Sequence, residues 1–400
     1  MISTIQKLAK EITPKVQSWR HHIHANPELS FLEFETAQFV SDKLSDFGIQ
    51  HQKGVAGTGV VGIIEGKNPS SGVVALRGDM DALPILEKNE VPYKSTKPGV
   101  MHACGHDVHT SSLLGASWIL NQIRDQFEGT VKLIFQPGEE KVPGGASMLI
   151  AEGVLQNPAP QSIVGQHVMP LLPVGKVGFR EGLYMASADE IYLTIHGKGG
   201  HGAMPNLAID VVAIAAQVIT AVQQVVSRSA DPKIPSVLSF GTVIANGATN
   251  VLPNSIYLEG TFRTMDEVWR AKAHVKIRQI IEGICAAFGA KADLEIRKGY
   301  PFLMNDPELT QKMKVAAVSY LGVENVVDLD VWMASEDFSY YTQEIPGCFY
   351  RLGTRNEEKG IISGVHTPTF DIDEDALEIG CGLFAWLAIS ELKTKIENEN

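Results

Sequence analysis

The chain has 400 residues, of which 44% are hydrophobic, and this is enough apolar material for a large core and two domains. A formal net charge of −12 argues against nucleic acid or an anionic membrane as a partner, because both require basic patches. The four cysteines are far apart, so a disulfide framework is not expected and a reducing compartment is favoured. No signal-peptide core and no run of about 18 apolar residues occurs, so we expect a cytoplasmic protein without membrane spans.

The first 50 residues predict two helices. One helical pattern runs to about residue 24, and a second covers Glu35 to Phe47. Near the end of the first stand His21, His22 and His24, which could form a metal site. The polar end of a helix closed by Asn26 and a proline is the simpler interpretation.

Two strand-like runs follow, VVGIIEG and VVALRGD, and the second ends at Asp79 and Asp81. A buried strand that ends in carboxylates indicates a site, since ligands of open α/β sheets lie beyond the carboxyl ends of the strands. For Asp79 the alternative is a turn carboxylate bonded to backbone amides.

The stretch MHACGHDVHT is the densest group of polar side chains in the chain and directly precedes an apolar run that predicts a helix. It contains His102, Cys104, His106, Asp107 and His109. Thiolates, imidazoles and carboxylates bind borderline-soft divalent metals, and a central glycine allows the backbone to turn. The alternative, capping and surface residues of an ordinary helix, explains single histidines but not the cluster.

Two further predicted strands end in candidate ligands. The strand in GTVKLIFQPGEE leads to Glu139 and Glu140, whose side chains leave the backbone in different directions, so one can hold a metal while the other carries a proton. An exposed acidic turn is the alternative. The strand SIVGQHV ends in His167, and this repetition strengthens each assignment.

From about residue 184 to 298 the elements follow the order βαββαβ, which is the ferredoxin-like arrangement and indicates an inserted domain. Residues 1–183 and 299–400 would then form one discontinuous domain. Polar landmarks of the insertion are His201 in a glycine-rich loop, Asn250 and Arg263. An imidazole and backbone amides in such a loop could meet an oxyanion, although His201 could also be a loop residue without a role.

The last hundred residues predict a helix from about Pro307 to Leu321, a strand CFYRLG and a C-terminal helix. His366 lies in the loop before that final helix. Asp371, Asp373 and Glu374 are expected to begin the helix, where negative charge is favourable.

The ordered motifs HACGHDVH, QPGEE, GQHV, GHGAMP and GVHTPTFD resemble the amidohydrolase branch of the zinc-dependent aminoacylase and carboxypeptidase family. The resemblance extends from RHHIHANPELSFLEFET to the final helix. It implies an α/β fold with a mixed-sheet metallopeptidase catalytic domain and an inserted ferredoxin-like lid or dimerisation domain. Peptidase branches carry His-x-Asp after the second strand, whereas this chain has Asp79-Met80-Asp81, as the amidohydrolase branch does.

The resemblance also implies the roles of individual residues. Glu139 would be the general base, His201 would steady the tetrahedral oxyanion in its own or a second subunit, and Asp81 would orient a metal ligand. Asn250 and Arg263 correspond to positions that hold the substrate carboxylate. The residues that would bind two divalent ions, zinc, manganese, cobalt or nickel, are Cys104, His106, Glu140, His167 and His366.

The expected reaction is hydrolysis of the amide bond of an N-acyl amino acid, a small-molecule substrate, by a homodimer or homotetramer. A dipeptidase or carboxypeptidase of the same family is the alternative. The sequence leaves three other interpretations open: a structural zinc site, a non-catalytic metal-binding protein, and a cysteine hydrolase in which Cys104 is the nucleophile.

Overall fold

The structure is a computed structural model that describes residues 1–399. The chain forms two compact units. The first unit comprises Met1–Tyr184, Met304–Val331 and Asp337–Asn400, and the second unit comprises Met185–Leu303 and Trp332–Glu336.

The helices and strands are numbered in chain order. The helices are α1 Ile2–Ala25, α2 Phe34–Asp46, α3 His106–Gln122, α4 Gly145–Ala151, α5 Val211–Gln224, α6 Glu267–Ala287, α7 Pro307–Leu321, α8 Ser339–Glu344 and α9 Ala376–Glu399. The strands are β1 Gln50–Val55, β2 Gly59–Glu65, β3 Val73–Asp79, β4 Thr130–Gln136, β5 Ser162–Pro173, β6 Val177–Phe179, β7 Gly182–Met185, β8 Asp189–His196, β9 Gly200–His201, β10 Ser236–Ile244, β11 Val251–Leu252, β12 Ser255–Thr264, β13 Lys291–Lys298, β14 Leu303–Asn305, β15 Val326–Asp328 and β16 Gly347–Arg355.

The first unit is built on an eight-stranded mixed sheet in the order β1-β2-β4-β3-β5-β16-β6-β15. The four central strands β4, β3, β5 and β16 are mutually parallel, so their carboxyl ends lie along one edge. Strand β4 is buried at every position, as expected for a parallel strand covered on both faces. This parallel centre explains how segments far apart in the sequence can deliver side chains to one place.

Helices α1, α3 and α9 pack together in the first unit. Helix α3, which follows the polar cluster, is buried along almost its whole length. A helix enclosed on all sides is held rigidly by its neighbours, and its first residue is His106. The position of the polar cluster is therefore set by the core of the first unit.

The second unit contains a four-stranded antiparallel sheet in the order β10-β12-β8-β13. Together with α5 and α6 this order is that of a βαββαβ ferredoxin-like fold. The apolar faces of both helices and the sheet form one core cluster that includes Leu193, Val218, Leu258 and Ile277. The α/β class and the ferredoxin-like arrangement predicted from the sequence are both found.

Two local expectations require correction. Strand β5 continues to Pro173, so His167 lies inside the strand and not at its end. Helix α9 begins at Ala376, after the acids that were expected to begin it. One stretch, Val211–Ser229, is long and apolar enough to cross a membrane by length and composition, although a third of it is buried within the fold and one such helix is weak evidence.

Candidate metal centre

The structure brings together all five side chains predicted to bind metal, and all five belong to the first unit. Cys104 and His106 precede and begin α3, His167 lies in β5, Glu140 follows β4 and His366 follows β16. Donor atoms of three sets lie within 4.8 Å of one another: Cys104 with His106 and His167, Cys104 with Glu140 and His366, and His106 with Glu139 and Glu140. Cys104 therefore connects two groups of ligands.

The distances between donor atoms fit coordination of a small divalent ion. Sγ of Cys104 lies 3.4 Å from Nε2 of His167 and 3.3 Å from Nε2 of His366. Nε2 of His366 lies 3.2 Å from Oε1 of Glu140. Zinc bonds of about 2.0 to 2.3 Å in a tetrahedron place the donor atoms about 3.3 to 3.8 Å apart. These side chains would need only small adjustments to bind a metal.

The two buried histidines of the centre present Nε2 to it. Nδ1 of His106 donates to Oδ1 of Asp81 at 3.1 Å, and Nδ1 of His167 donates to the carbonyl oxygen of Val168 at 2.8 Å. These bonds hold a proton on Nδ1 and orient Nε2 toward the centre, where a bound metal would take the place of a proton. Within the part of the chain that the structure describes, Nε2 of His106 is buried and has no hydrogen-bond partner. A divalent cation would satisfy it.

Asp81 is the main acceptor behind the metal centre. In addition to His106, its carboxylate accepts the backbone N–H of Glu139 at 3.0 Å, the N–H of Glu140 at 2.9 Å and the hydroxyl of Ser30 at 2.6 Å. It is fully buried. One carboxylate therefore holds the His106 ring and the backbone of both adjacent glutamates, and its role in orienting a metal ligand stays a prediction.

The two glutamates are buried or nearly so, which excludes the exposed acidic turn that the sequence left open. Glu139 is 6% exposed and the Glu140 side chain 12% exposed. Oε1 of Glu139 accepts the backbone N–H of Asp337 at 3.4 Å. A carboxylate oxygen of each glutamate lies within 4.8 Å of the other and of a His106 nitrogen, so two acids are present at one edge of the centre.

The centre has a strong negative potential. Burial by itself would lower the pKa of His106, but Asp79 and Asp81 outweigh it and raise that pKa to about 10. Burial, reinforced by Glu140 and Glu139, raises the pKa of the Cys104 thiol well above its usual range. A nucleophilic cysteine requires a lowered pKa, so this environment disfavours Cys104 as a nucleophile. It suits a thiol that loses its proton only when it binds a cation.

His109 of the predicted cluster and the nearby Asp79 have partners within the fold, whereas His102 has no hydrogen-bond partner at either buried ring nitrogen among the described residues. His109 donates from Nδ1 to Asp79 at 2.6 Å and accepts the backbone N–H of Val168 at Nε2, so both its nitrogens are engaged. Asp79 also accepts from Arg77 at 2.6 Å, and it is a buried ion-pair partner and not the turn carboxylate that was considered. His102 is buried, and burial lowers its pKa to about 3, so it is neutral.

The histidines near the end of α1 do not line the metal centre. His24 donates to Asp107 at 2.8 Å and approaches Glu87 at 3.1 Å, and both ring nitrogens are buried. Arg20, also fully buried, binds Asp107 at 3.0 Å. The expected polar helix end is therefore an internal ion network, and its two members on α1, Arg20 and His24, are one helical turn apart. Arg20 also binds Asp371 and Glu374, the acids that had been assigned to α9.

Glu33 is a buried residue of the site region to which the sequence analysis gave no role. Its carboxylate accepts the backbone N–H of Gly138 at 2.8 Å and that of Phe31 at 2.9 Å, and the hydroxyl of Thr58 at 2.6 Å. The only sign of it in the sequence is its place in the segment PELSFLEFET, which belongs to the family resemblance.

The remaining predicted residues belong to the second unit. The pairing of β9 with β11 puts His201 opposite Val251, and the carbonyl oxygen of Asn250 accepts the N–H of Gly202 at 2.8 Å, so His201 and Asn250 are neighbours. Both are exposed. Arg263 lies on β12 and is half-buried.

A model of Peptidase family M20/M25/M40 matches residues 75–390. The chain belongs to this family. The N-acyl-L-amino acid amidohydrolase of Geobacillus stearothermophilus is 43% identical over 304 residues, which are 76% of this chain and 81% of that protein. Thermostable carboxypeptidase 2 of Saccharolobus solfataricus is 38% identical over 97% of this chain and 98% of that protein.

A solved structure supports the same assignment. The crystal structure of the Bacillus subtilis YXEP protein, a dinuclear metal-binding peptidase from the M20 family, matches with a TM-score of 0.82 and 35% identity, over 96% of this chain and 99% of that chain. The family resemblance and fold predicted from the motifs are thereby confirmed. This M20 protein is an enzyme that hydrolyses amide bonds with divalent metal.

Proposed function

We propose that this M20 enzyme hydrolyses the amide bond of N-acyl amino acids and releases a carboxylic acid and a free amino acid. The observation that carries the proposal is the convergence of a thiol, three imidazoles and a carboxylate beside a second buried acid, Glu139. Structural zinc sites are closed by four Cys or His ligands, and an additional acid at the edge of the site has no use in them.

Cys104, His106, Glu140, His167 and His366 would hold two divalent ions. Zinc, manganese, cobalt and nickel all suit this mixed set of sulfur, nitrogen and oxygen donors. When bound, the ions supply a more acidic water and a polarised amide carbonyl.

Glu139 is assigned the proton transfers. Its carboxylate would take a proton from the attacking water and pass it to the nitrogen of the leaving amine. The bond from Asp81 to its backbone N–H fixes the start of the side chain, so that the carboxylate stays within reach of the ions held by its neighbour Glu140. A base held in this way loses little entropy when the substrate binds.

His201 is assigned to the oxyanion of the tetrahedral intermediate, in its own subunit or across a dimer. Its Nδ1 accepts the backbone N–H of Ala203 at 3.1 Å. In the neutral ring the proton is then on Nε2, which faces no partner among the described residues and can donate to an oxyanion.

Arg263 and Asn250 are assigned to the substrate carboxylate. Arg263 donates to the hydroxyls of Thr261 and Ser335, at 3.1 and 2.9 Å. In the described part of the chain the guanidinium makes no ion pair, and burial lowers its pKa. A half-buried cation with only neutral partners is favourable for a carboxylate ligand.

A peptidase is the second candidate, because the carboxypeptidase relative aligns over almost the entire chain. Both candidates use the same metal centre and differ only in the group attached to the amide carbonyl. The choice between them depends on this acyl group of the substrate.

An assembly of two or four copies is also proposed, and light scattering would measure its mass.

The test combines metal analysis with a substrate panel. Free amine release is measured from N-acetyl, N-benzoyl and indole-acetyl amino acids and from dipeptides, with Zn²⁺ or Mn²⁺ added. Wild type should be active on an acylated class and silent after chelation, and Glu139→Gln should bind metal but lose roughly 10² to 10⁴ in kcat. Glu152→Gln, at an exposed acid, is the matched control and should keep wild-type kcat. Turnover of dipeptides alone would favour the peptidase, and metal binding without any turnover would refute both candidates.

A further inference from the structure

Two turns with left-handed backbone conformations meet beside the metal centre, and the one at Phe31 is strained. Phe31 has φ +67, a left-handed backbone conformation that is unusual for a bulky residue, and Gly138 has φ +58. A Cβ added to Gly138 would lie 2.2 Å from Cε1 of Phe31, so the aromatic ring closes on the glycine backbone. Strain of this kind persists only where surrounding contacts maintain it, and it is common at functional sites.

Glu33 supplies those contacts. Its Oε1 accepts the N–H groups of Phe31 and Gly138 together, so a single oxygen joins the two turns. Its Oε2 accepts the hydroxyl of Thr58, which fixes the carboxylate from the other side. Glu33 is fully buried, so water cannot replace it as the acceptor for these amides.

The second turn leads directly to the catalytic loop. Gly138 is followed by Glu139 and Glu140, whose own N–H groups are bound by Asp81. Three successive amides of one short segment are therefore held by two buried carboxylates, Glu33 and Asp81. Asp81 also holds a histidine ligand, whereas Glu33 contacts neither a ligand nor the general base directly.

We propose that Glu33 is a positioning residue of this enzyme, which fixes the Gly138 turn and thereby the distance between the base Glu139 and the ligand Glu140. This inference rests on the proposed function for the roles of those two acids. Glu33 acts through hydrogen bonds to backbone amides. A neutral side chain of the same shape can therefore replace it.

The surroundings of Glu33 agree with a role that does not require negative charge. Burial and the nearby charge of Asp81 raise the pKa of Glu33 to about 7, against the hydrogen bonds from Thr58 and Phe31. In a glutamine at this position the oxygen would still accept the two amides, and the amide nitrogen could donate to the Thr58 hydroxyl, which can turn to accept.

The test compares Glu33→Gln with Glu33→Ala in the full chain. Each variant is purified without metal and titrated with Zn²⁺ in competition with a chelator, and kcat and KM are then measured on the preferred acylated amino acid. Asp306→Ala is the matched control, since Asp306 also accepts a backbone amide, that of Leu309, but at the start of α7. Thr58→Val, which removes only the hydroxyl bond to Glu33, covers the case in which Glu33→Ala does not fold.

Glu33→Ala should lower kcat about 10- to 100-fold with little change in KM, and weaken binding of one of the two ions about 10-fold. Glu33→Gln should restore both within about 3-fold, and Thr58→Val should lower kcat about 3- to 10-fold. The proposal would be overturned if Glu33→Ala kept the wild-type kcat and Zn²⁺ affinity. If Glu33→Ala is insoluble, the same result in Thr58→Val would overturn it. A Glu33→Gln variant as impaired as Glu33→Ala would also overturn it. If wild type hydrolysed no conjugate, the proposed function would fail, but the Zn²⁺ titration would still test Glu33.

Discussion

Replacing Asp81 by asparagine should weaken metal binding without removing any metal ligand. The Asp81 carboxylate accepts hydrogen bonds from four donors. An asparagine would have one acceptor oxygen where the aspartate has two. If the side-chain NH₂ took the place of Oδ1, this donor would face two other donors that cannot turn away, Nδ1 of His106 and the N–H of Glu139. At the Oδ2 position it would face Ser30, whose hydroxyl can turn to accept, and the N–H of Glu140, which cannot.

The asparagine should therefore place its oxygen on His106 and leave the Glu140 amide unpaired. A buried unsatisfied donor costs about 1 to 3 kcal/mol. The bond to His106 also loses its charge assistance, which is worth roughly 1 kcal/mol more. The sum is about 2 to 4 kcal/mol, or a decrease of about 3 to 7 °C in Tm for a unit of this size.

The assay is thermal unfolding of the metal-free protein together with Zn²⁺ affinity from chelator competition. Disturbing both a ligand histidine and the Glu140 backbone should lower the affinity roughly 10- to 100-fold. Asp210→Asn is the matched control, because Asp210 accepts two amides at the start of α5 and asparagine caps a helix equally well. If Asp81→Asn kept the wild-type Tm and Zn²⁺ affinity, the assignment of Asp81 as the orienting carboxylate would be refuted.

Three further outcomes are expected. Chelation should lower Tm as well as abolish activity, because the ions bind only the folded protein. A Tm that is unchanged by the chelator would contradict the assignment of a metal centre. Burial tends to lower the pKa of His24, but Asp107 outweighs it and raises that pKa from 6.5 to about 9. The resulting stabilisation of the folded protein is at most roughly 3 kcal/mol; it is complete below pH 6.5 and is lost as the pH rises to about 9. The free energy of unfolding of His24→Gln should therefore change less than that of wild type between pH 6.5 and 9. Gly138→Ala should lower the free energy of unfolding by at least about 2 kcal/mol more than Gly48→Ala does. Both glycines have positive φ, but only at position 138 would the new Cβ clash with Phe31. Equal Tm values for the two variants would contradict this.

Several features of this enzyme were readable from local patterns. The alternation and length of apolar runs predicted the strands and helices, because those periods reflect burial on one or both faces of an element. The order βαββαβ predicted the ferredoxin-like unit, since few arrangements of such a series can close a sheet. Cys104 and His106 were recognisable because cysteine and histidine rarely occur so close together without a metal.

Other features were hidden because a side chain's partners cannot be read from its neighbours in sequence. His109 and His106 look alike in the motif, yet the N–H of Val168 engages the free nitrogen of His109 and leaves that of His106 open. The acids before α9 suggested a helix start, but the buried Arg20 binds two of them.

The chemistry of the centre was thus present in the residue types and their order, because the kinds of donor atom are properties of single side chains. Only the tertiary structure, through the parallel alignment of β4, β3, β5 and β16 and the packing of α3, brought Cys104 and His366 to 3.3 Å from each other. Which carboxylates position the loop, Asp81 and Glu33, was likewise decided only by packing, since a buried amide binds whichever acceptor the fold brings to it.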